Sequence, residues 1–104
     1  MAPAFSYQFT STLIEWRGPA PYYFLPIPAE LGSQIKEMAA QLTYGWGVIP
    51  VTASAFDPDD NEVTWTTSLI PRNGEYLVPV KNVARLPLGL ELGQSLAITV
   101  TLQA

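Results

Sequence analysis

From Val63 to Lys81 the chain reads V-T-W-T-T-S-L-I-P-R-N-G-E-Y-L-V-P-V-K, a stretch that gathers Trp65, Ser68, Tyr76 and Lys81, with Arg85 four positions further on. A lysine and an arginine at that spacing share one face of a helical segment, where two cations could hold a carboxylate or a phosphate through charge-assisted hydrogen bonds. They would serve equally as a solvated basic face, or as partners of acids such as Glu15 or Glu75. Ser68 beside Thr66 and Thr67, with Lys81 as base, is the arrangement that suggests a nucleophile. Neither a G-x-S-x-G elbow nor an S-x-x-K motif accompanies it, and hydroxyl rows are ordinary on the outer face of a strand, so an enzyme using Ser68 and Lys81 is not expected. Trp16, Trp46 and Trp65, with Tyr23 and Tyr76, are many large aromatics for a small domain. They either fill a core with their polar atoms bonded to backbone, or wall a groove that Gly45 and Gly47 open to a ligand. On the second reading Trp46, Trp65, Ser68, Tyr76, Lys81 and Arg85 border a common cleft, with aromatics as walls and the bases at the rim drawing in an anion.

Composition narrows the chemistry further. The 104 residues contain no cysteine and no histidine, which removes disulfides, thiolate and imidazole metal sites, cysteine nucleophiles and any Ser-His-Asp triad. Asp57, Asp59 and Asn61 mimic the opening of a calcium loop, but Glu62 stands where the sharp-turn glycine belongs and Ser68 where the final glutamate belongs, which leaves a solvent-exposed turn. No cofactor is implied. Nine acids against five bases, Arg17, Lys36, Arg72, Lys81 and Arg85, give a net charge of -4. Nucleic-acid binding needs a dense positive footprint, and five scattered bases do not provide one. The N-terminus has no basic region leading into an apolar run, and no segment reaches the roughly 18 consecutive apolar residues of a membrane span. The expectation is a soluble cytoplasmic protein, a monomer or weak homodimer. With 48% apolar and 13% charged residues it should fold alone as one domain, residues 1–104, behind a flexible N-terminus at 1–3.

The elements that must position these residues can be read from periodicity. Phe5, Tyr7, Phe9 and Leu13 alternate with Ser6, Gln8, Thr10 and Thr12, which predicts a half-buried strand. Arg17 to Pro21 breaks the chain with glycine and proline before Tyr22 to Ile27 resumes as a strand. Pro28 presets a first helical turn, Glu30 suits the positive end of the helix dipole, and Leu31, Ile35, Met38 and Leu42 recur at helical spacing, which predicts an amphipathic helix over Ala29 to Leu42. Ile49, Val51, Ala53 and Ala55 mark the next strand, and Asp57 to Asn61 a turn. Val63, Trp65, Thr67 and Leu69 follow, then the Asn73-Gly74 hairpin signal and a strand from Glu75 to Val80. Asn82 to Leu86 is expected to make a helical turn or two stopped by Pro87, and Leu96, Ile98, Val100 and Leu102 a final strand. Tyr23-Phe24-Leu25-Pro26-Ile27 matches Tyr76-Leu77-Val78-Pro79-Val80, so the order strand, strand, helix, strand runs twice. The expected fold is mainly β: a six-stranded closed pseudobarrel built from two β-β-α-β halves about a pseudo-twofold axis, with one amphipathic helix and a second short helical turn.

Several segments together resemble the bacterial and archaeal family known as domain of unknown function 1905. They are Phe9 with Leu13-Ile14-Glu15-Trp16, Gly18-Pro19-Ala20-Pro21-Tyr22-Tyr23-Phe24, Gly45-Trp46-Gly47 with Pro50-Val51, Trp65-Thr66-Thr67-Ser68-Leu69, Tyr76 to Lys81 with Arg85, and Gly93 with Leu96 and Val100. The chain departs from the family at Asp57 to Glu62, where a short glycine turn would be expected, so that hairpin should be longer. The resemblance implies a pseudobarrel related to the swapped-hairpin, double-split barrel fold of transition-state regulators and antitoxins, whose glycine-containing turn before the last strand is similar to Leu88 to Leu96. It carries no activity, and the family's occasional second domain, associated with bacteriocin protection, has no counterpart in this sequence. The function expected is a non-enzymatic module that binds a small anionic ligand or a protein partner. The alternative is a DNA-binding regulator, which rests on fold analogy alone.

Overall fold

The computed structural model describes residues 6–16, 22–41, 49–72 and 75–102. The first alternating segment forms β1 (Ser6–Thr12), but Leu13 leaves the ladder and the chain continues as β2 (Ile14–Trp16). Leu13 spends its backbone groups on the turn before the last strand, donating its N–H to the Gln94 carbonyl at 2.9 Å and accepting from the Gly93 N–H at 3.1 Å. That turn needs Gly93 at φ +84°, a conformation other residues rarely adopt. After β3 (Tyr22–Pro26) comes α1 (Ala29–Gln41), which buries Ile35 and Ala39 and half-buries Leu31 and Met38, the stripe that the sequence spacing predicts. Leu42, Trp46 with its flanking glycines, and the Asn73-Gly74 turn lie outside the described residues.

The second half supplies β4 (Ile49–Phe56), β5 (Glu62–Arg72), β6 (Glu75–Pro79), α2 (Asn82–Leu88) and β7 (Ser95–Leu102). The hairpin between β4 and β5 is long, as its aspartates suggest. Asp57 Oδ1 accepts the N–H groups of Asp59 and Asn61 at 2.9 and 2.8 Å, and Asp60 takes φ +64°. Pro87 does not stop α2; it lies inside the helix, whose end is set two residues later. Gly89, at φ +62°, donates to the Leu86 carbonyl, and Leu90 donates to that of Arg85, the paired bonds that satisfy the last carbonyls of a helix ending in a left-handed residue. A Cβ at Gly89 would meet nothing within 4 Å, so Gly89→Ala should act through backbone strain alone. A loss of about 1 kcal/mol is expected in urea unfolding. An unchanged midpoint would mean that the left-handed closure contributes nothing.

The strands form one seven-stranded sheet in the order β1-β7-β4-β5-β6-β3-β2, with every pairing antiparallel. This corrects the closed six-stranded pseudobarrel: the sheet is an open half-barrel. The first strand is interrupted at Leu13, and its two pieces, β1 and β2, pair with β7 and β3 at the opposite ends of the strand order. The mainly-β class stands, with two helices. The inner face carries one core that includes Phe9, Leu13, Leu25, Ile35, Val51, Trp65, Leu69, Val78, Ile98 and Val100. Among the described residues no helix is long and apolar enough to cross a membrane.

The ladders relate the two halves in a consistent way. Leu25 pairs with Val78 at the junction, and the bond from Ile27 N–H to the Tyr76 carbonyl (3.0 Å) is made again, with the halves exchanged, from Val80 N–H to the Tyr23 carbonyl (2.9 Å). Ile14 opposes Phe24 as Ile70 opposes Leu77, and Glu15 opposes Tyr23 as Pro71 opposes Tyr76. The Tyr23 and Tyr76 segments thus hold equivalent places. By the same correspondence Pro28, Ala29 and Gly32 of the first half match Lys81, Asn82 and Arg85 of the second.

Candidate functional site

The chain leaves β6 through Val80 and Lys81 and enters α2 at once, so Lys81 and Arg85 come one helical turn apart above the end of β3. Between them and β3 lies an open cleft of about 370 Å³ lined by Tyr22, Tyr23, Pro79, Val80, Lys81, Asn82 and Arg85. Val80 is buried and belongs to the core, which fixes the cleft to the body of the sheet. Tyr22 opposes Trp16 across the β2–β3 ladder and lies tilted against Phe24, with ring centroids 6.4 Å apart, yet it remains 60% exposed. Among the described residues the lining contains no aspartate or glutamate.

The cations are held by neutral groups. Lys81 Nζ donates to the Thr66 carbonyl at 3.1 Å, and Arg85 Nη2 donates to Asn82 Oδ1 at 3.3 Å. The Arg85 guanidinium carbon sits 4.4 Å from the centroid of the Tyr23 ring, a cation–π stack that restrains the side chain. Arg85 Nε is buried with no hydrogen-bond partner. Among the described residues the hydrogen bonds of both cations go to these neutral acceptors. Stacking pre-organises the guanidinium, while the ammonium, held by one carbonyl, keeps hydrogens for a further acceptor. Among the described residues no group of three or more His, Cys, Asp or Glu side chains could hold a metal ion.

Of the residues singled out by sequence, the cleft brings together Lys81 and Arg85. Trp65 and Tyr76 are 4% and 8% exposed within the core, and Ser68 is half-buried opposite Pro50 in the β4–β5 ladder. None of these three lines the cleft, and Trp46 lies outside the described residues. Sequence reasoning passed over Tyr22 and Asn82. The available signal was the repeat itself, because aligning the Y-x-x-P segments sets Tyr22 against Glu75 and Asn82 against Ala29, two changes of chemistry at matched positions.

A second opening, of about 380 Å³, stands at the matching place in the other half, lined in part by Ser11, Pro26, Ile27, Pro28, Ala29 and Glu75. It keeps the proline and the aliphatic floor but has neither cation. A Cβ built on Gly32 would lie 3.9 Å from the Tyr76 ring, the counterpart of Arg85 on Tyr23.

Residues 9–100 match a family model described as a domain of unknown function, DUF1905. No curated protein matches the chain.

Proposed function

The chain belongs to the DUF1905 family, a membership that brings no activity with it, and we propose that it is a small non-enzymatic binding module whose ligand is an anion seated in the Tyr22–Arg85 cleft. One observation carries this reading: in a chain with nine acids and net charge -4, two of the five bases line one cleft and, among the described residues, bond to neutral partners. Cations not needed by nearby carboxylates are available to an incoming one. A local positive rim also supplies the steering that the overall charge opposes.

The test is calorimetric titration of the full chain with a panel of small carboxylates and phosphates, for the native protein and for Lys81→Met and Arg85→Met. Methionine keeps the apolar stem of each side chain and removes its charge. At least one anion should bind the native chain, and each replacement should weaken it about tenfold or more, since a charge-assisted hydrogen bond contributes about 1.5–3 kcal/mol. Thermal unfolding of Lys81→Met should barely move, because the ammonium is exposed and makes one bond, which keeps its affinity loss separate from any change in stability. Unchanged affinity in both variants would overturn the reading.

A further inference from the structure

The ligand class can be narrowed, on the premise that the cleft binds an anion. The two halves act as an internal control: the same strand-to-helix junction is built at Pro28, Ala29 and Gly32 with no charged group, so packing does not require Lys81, Asn82 and Arg85. What distinguishes the second cleft is therefore what its ligand needs. Two cations and an amide replace apolar or absent side chains, and Tyr22 stands where Glu75 does, exchanging a repelling acid for an exposed aromatic ring.

From this set we infer that the ligand is an aromatic monocarboxylate, its carboxylate held by Arg85 and Lys81 and its ring laid against Tyr22 and Pro79. Donor supply favours a carboxylate over a phosphate. The backbone N–H groups of Ala84 and Arg85 both donate to the Lys81 carbonyl, and one guanidinium nitrogen is engaged by Asn82. With Arg85 Nε buried and Nη2 engaged, the side chains offer Arg85 Nη1 and the remaining hydrogens of Lys81 Nζ, a small supply that matches the two oxygens of a carboxylate better than the three of a phosphoryl group. The apolar part of the lining, Tyr22, Tyr23, Pro79 and Val80, has no use for a bare ion such as acetate but offers a planar ring a flat wall. About 370 Å³ leaves room for a ring and its carboxylate together.

The full chain, labelled with 15N, is titrated with benzoate, acetate, benzamide and phenyl phosphate, following the amide signals from Val80 to Arg85. Benzoate should bind about tenfold or more tightly than each of the other three. Tyr22→Ser, at an exposed position, should weaken benzoate about three- to tenfold, the usual contribution of one aromatic contact, and leave acetate unchanged. Phenyl phosphate binding as tightly as benzoate, or acetate matching it, would overturn this inference while leaving an anion cleft in place. Benzamide matching benzoate, or no probe shifting these signals, would remove both. Benzoate shifts that persist undiminished in Tyr22→Ser would deny the ring its wall and overturn the inference as well.

Discussion

Leu25→Ala is expected to cost about 2–5 kcal/mol, the range for truncating a fully buried leucine whose surroundings cannot close over the space. Leu25 is 0% exposed and so is Val78, the residue it opposes. The β3–β6 ladder that joins the halves on this side has only the pairs Phe24–Pro79, Leu25–Val78 and Pro26–Leu77, flanked by the bonds from Ile27 N–H to Tyr76 and from Val80 N–H to Tyr23. So short a ladder makes side-chain packing across it a large part of what holds the junction. Both faces of the ladder are covered: Leu25 and Val78 join the inner core, while Phe24 and Leu77 are buried on the opposite face, Phe24 with its ring centroid 6.2 Å from that of Trp16. A cavity at Leu25 thus opens between layers that cannot move independently. For a domain whose total stability is about 5–15 kcal/mol, the loss should appear as a much lower urea midpoint with an unchanged slope. A shift worth less than about 1 kcal/mol would show that the junction is not held by this packing.

That junction also marks where sequence stopped being informative. Strands with one wet face declare themselves by alternation, so Ile49, Val51, Ala53 and Ala55 of β4 and Ile98, Val100 and Leu102 of β7 were legible as core, as were Ile35 and Met38 of α1. β3 and β6 bury consecutive residues, Phe24 with Leu25 and Tyr76 with Leu77 and Val78, and such runs do not reveal what covers the second face. The break at Leu13 was illegible for another reason. Leu13 keeps its place in the alternation and its side chain is buried; only its backbone bonds change, to a turn some eighty residues away in the chain. Pro87 misled in the opposite sense, because near the end of a short helix it costs one N–H, while the closing bonds from Gly89 and Leu90 go to the Leu86 and Arg85 carbonyls and form regardless. For the site, charge at fixed spacing found Lys81 and Arg85, whereas aromatic identity could not separate a wall from a core. Tyr22 and Tyr23 are neighbours in sequence but point to opposite faces of β3, and both reach the cleft because it opens at the strand's end.

Trp65 decides between the two readings that the aromatics allowed, and Trp65→Phe should lower stability by about 2–4 kcal/mol while changing anion affinity less than threefold. The indole is 4% exposed, and its Nε1–H donates to the Pro79 carbonyl at 3.0 Å. The first half meets the same requirement with different chemistry: Phe9 holds the place of Trp65, and the Pro26 carbonyl is satisfied by the Ser11 hydroxyl, itself buried, at 2.5 Å. A phenyl ring is therefore compatible with the strand at this position, but the second half has Thr67 where Ser11 would be, and among the described residues the side-chain donor to the Pro79 carbonyl is Trp65. Trp65→Phe thus removes a buried hydrogen bond, leaves the Pro79 carbonyl without its side-chain donor and opens a small cavity, effects that add in the same direction. Pro79 also lines the cleft, so any loosening there should reach the ligand only as a minor displacement of one wall. Urea unfolding and anion titration of the same variant, the latter well below its melting temperature, separate the two roles. Lost affinity with native stability would make Trp65 part of the binding surface, whereas lost stability with native affinity would make it the bolt between β5 and the end of β6.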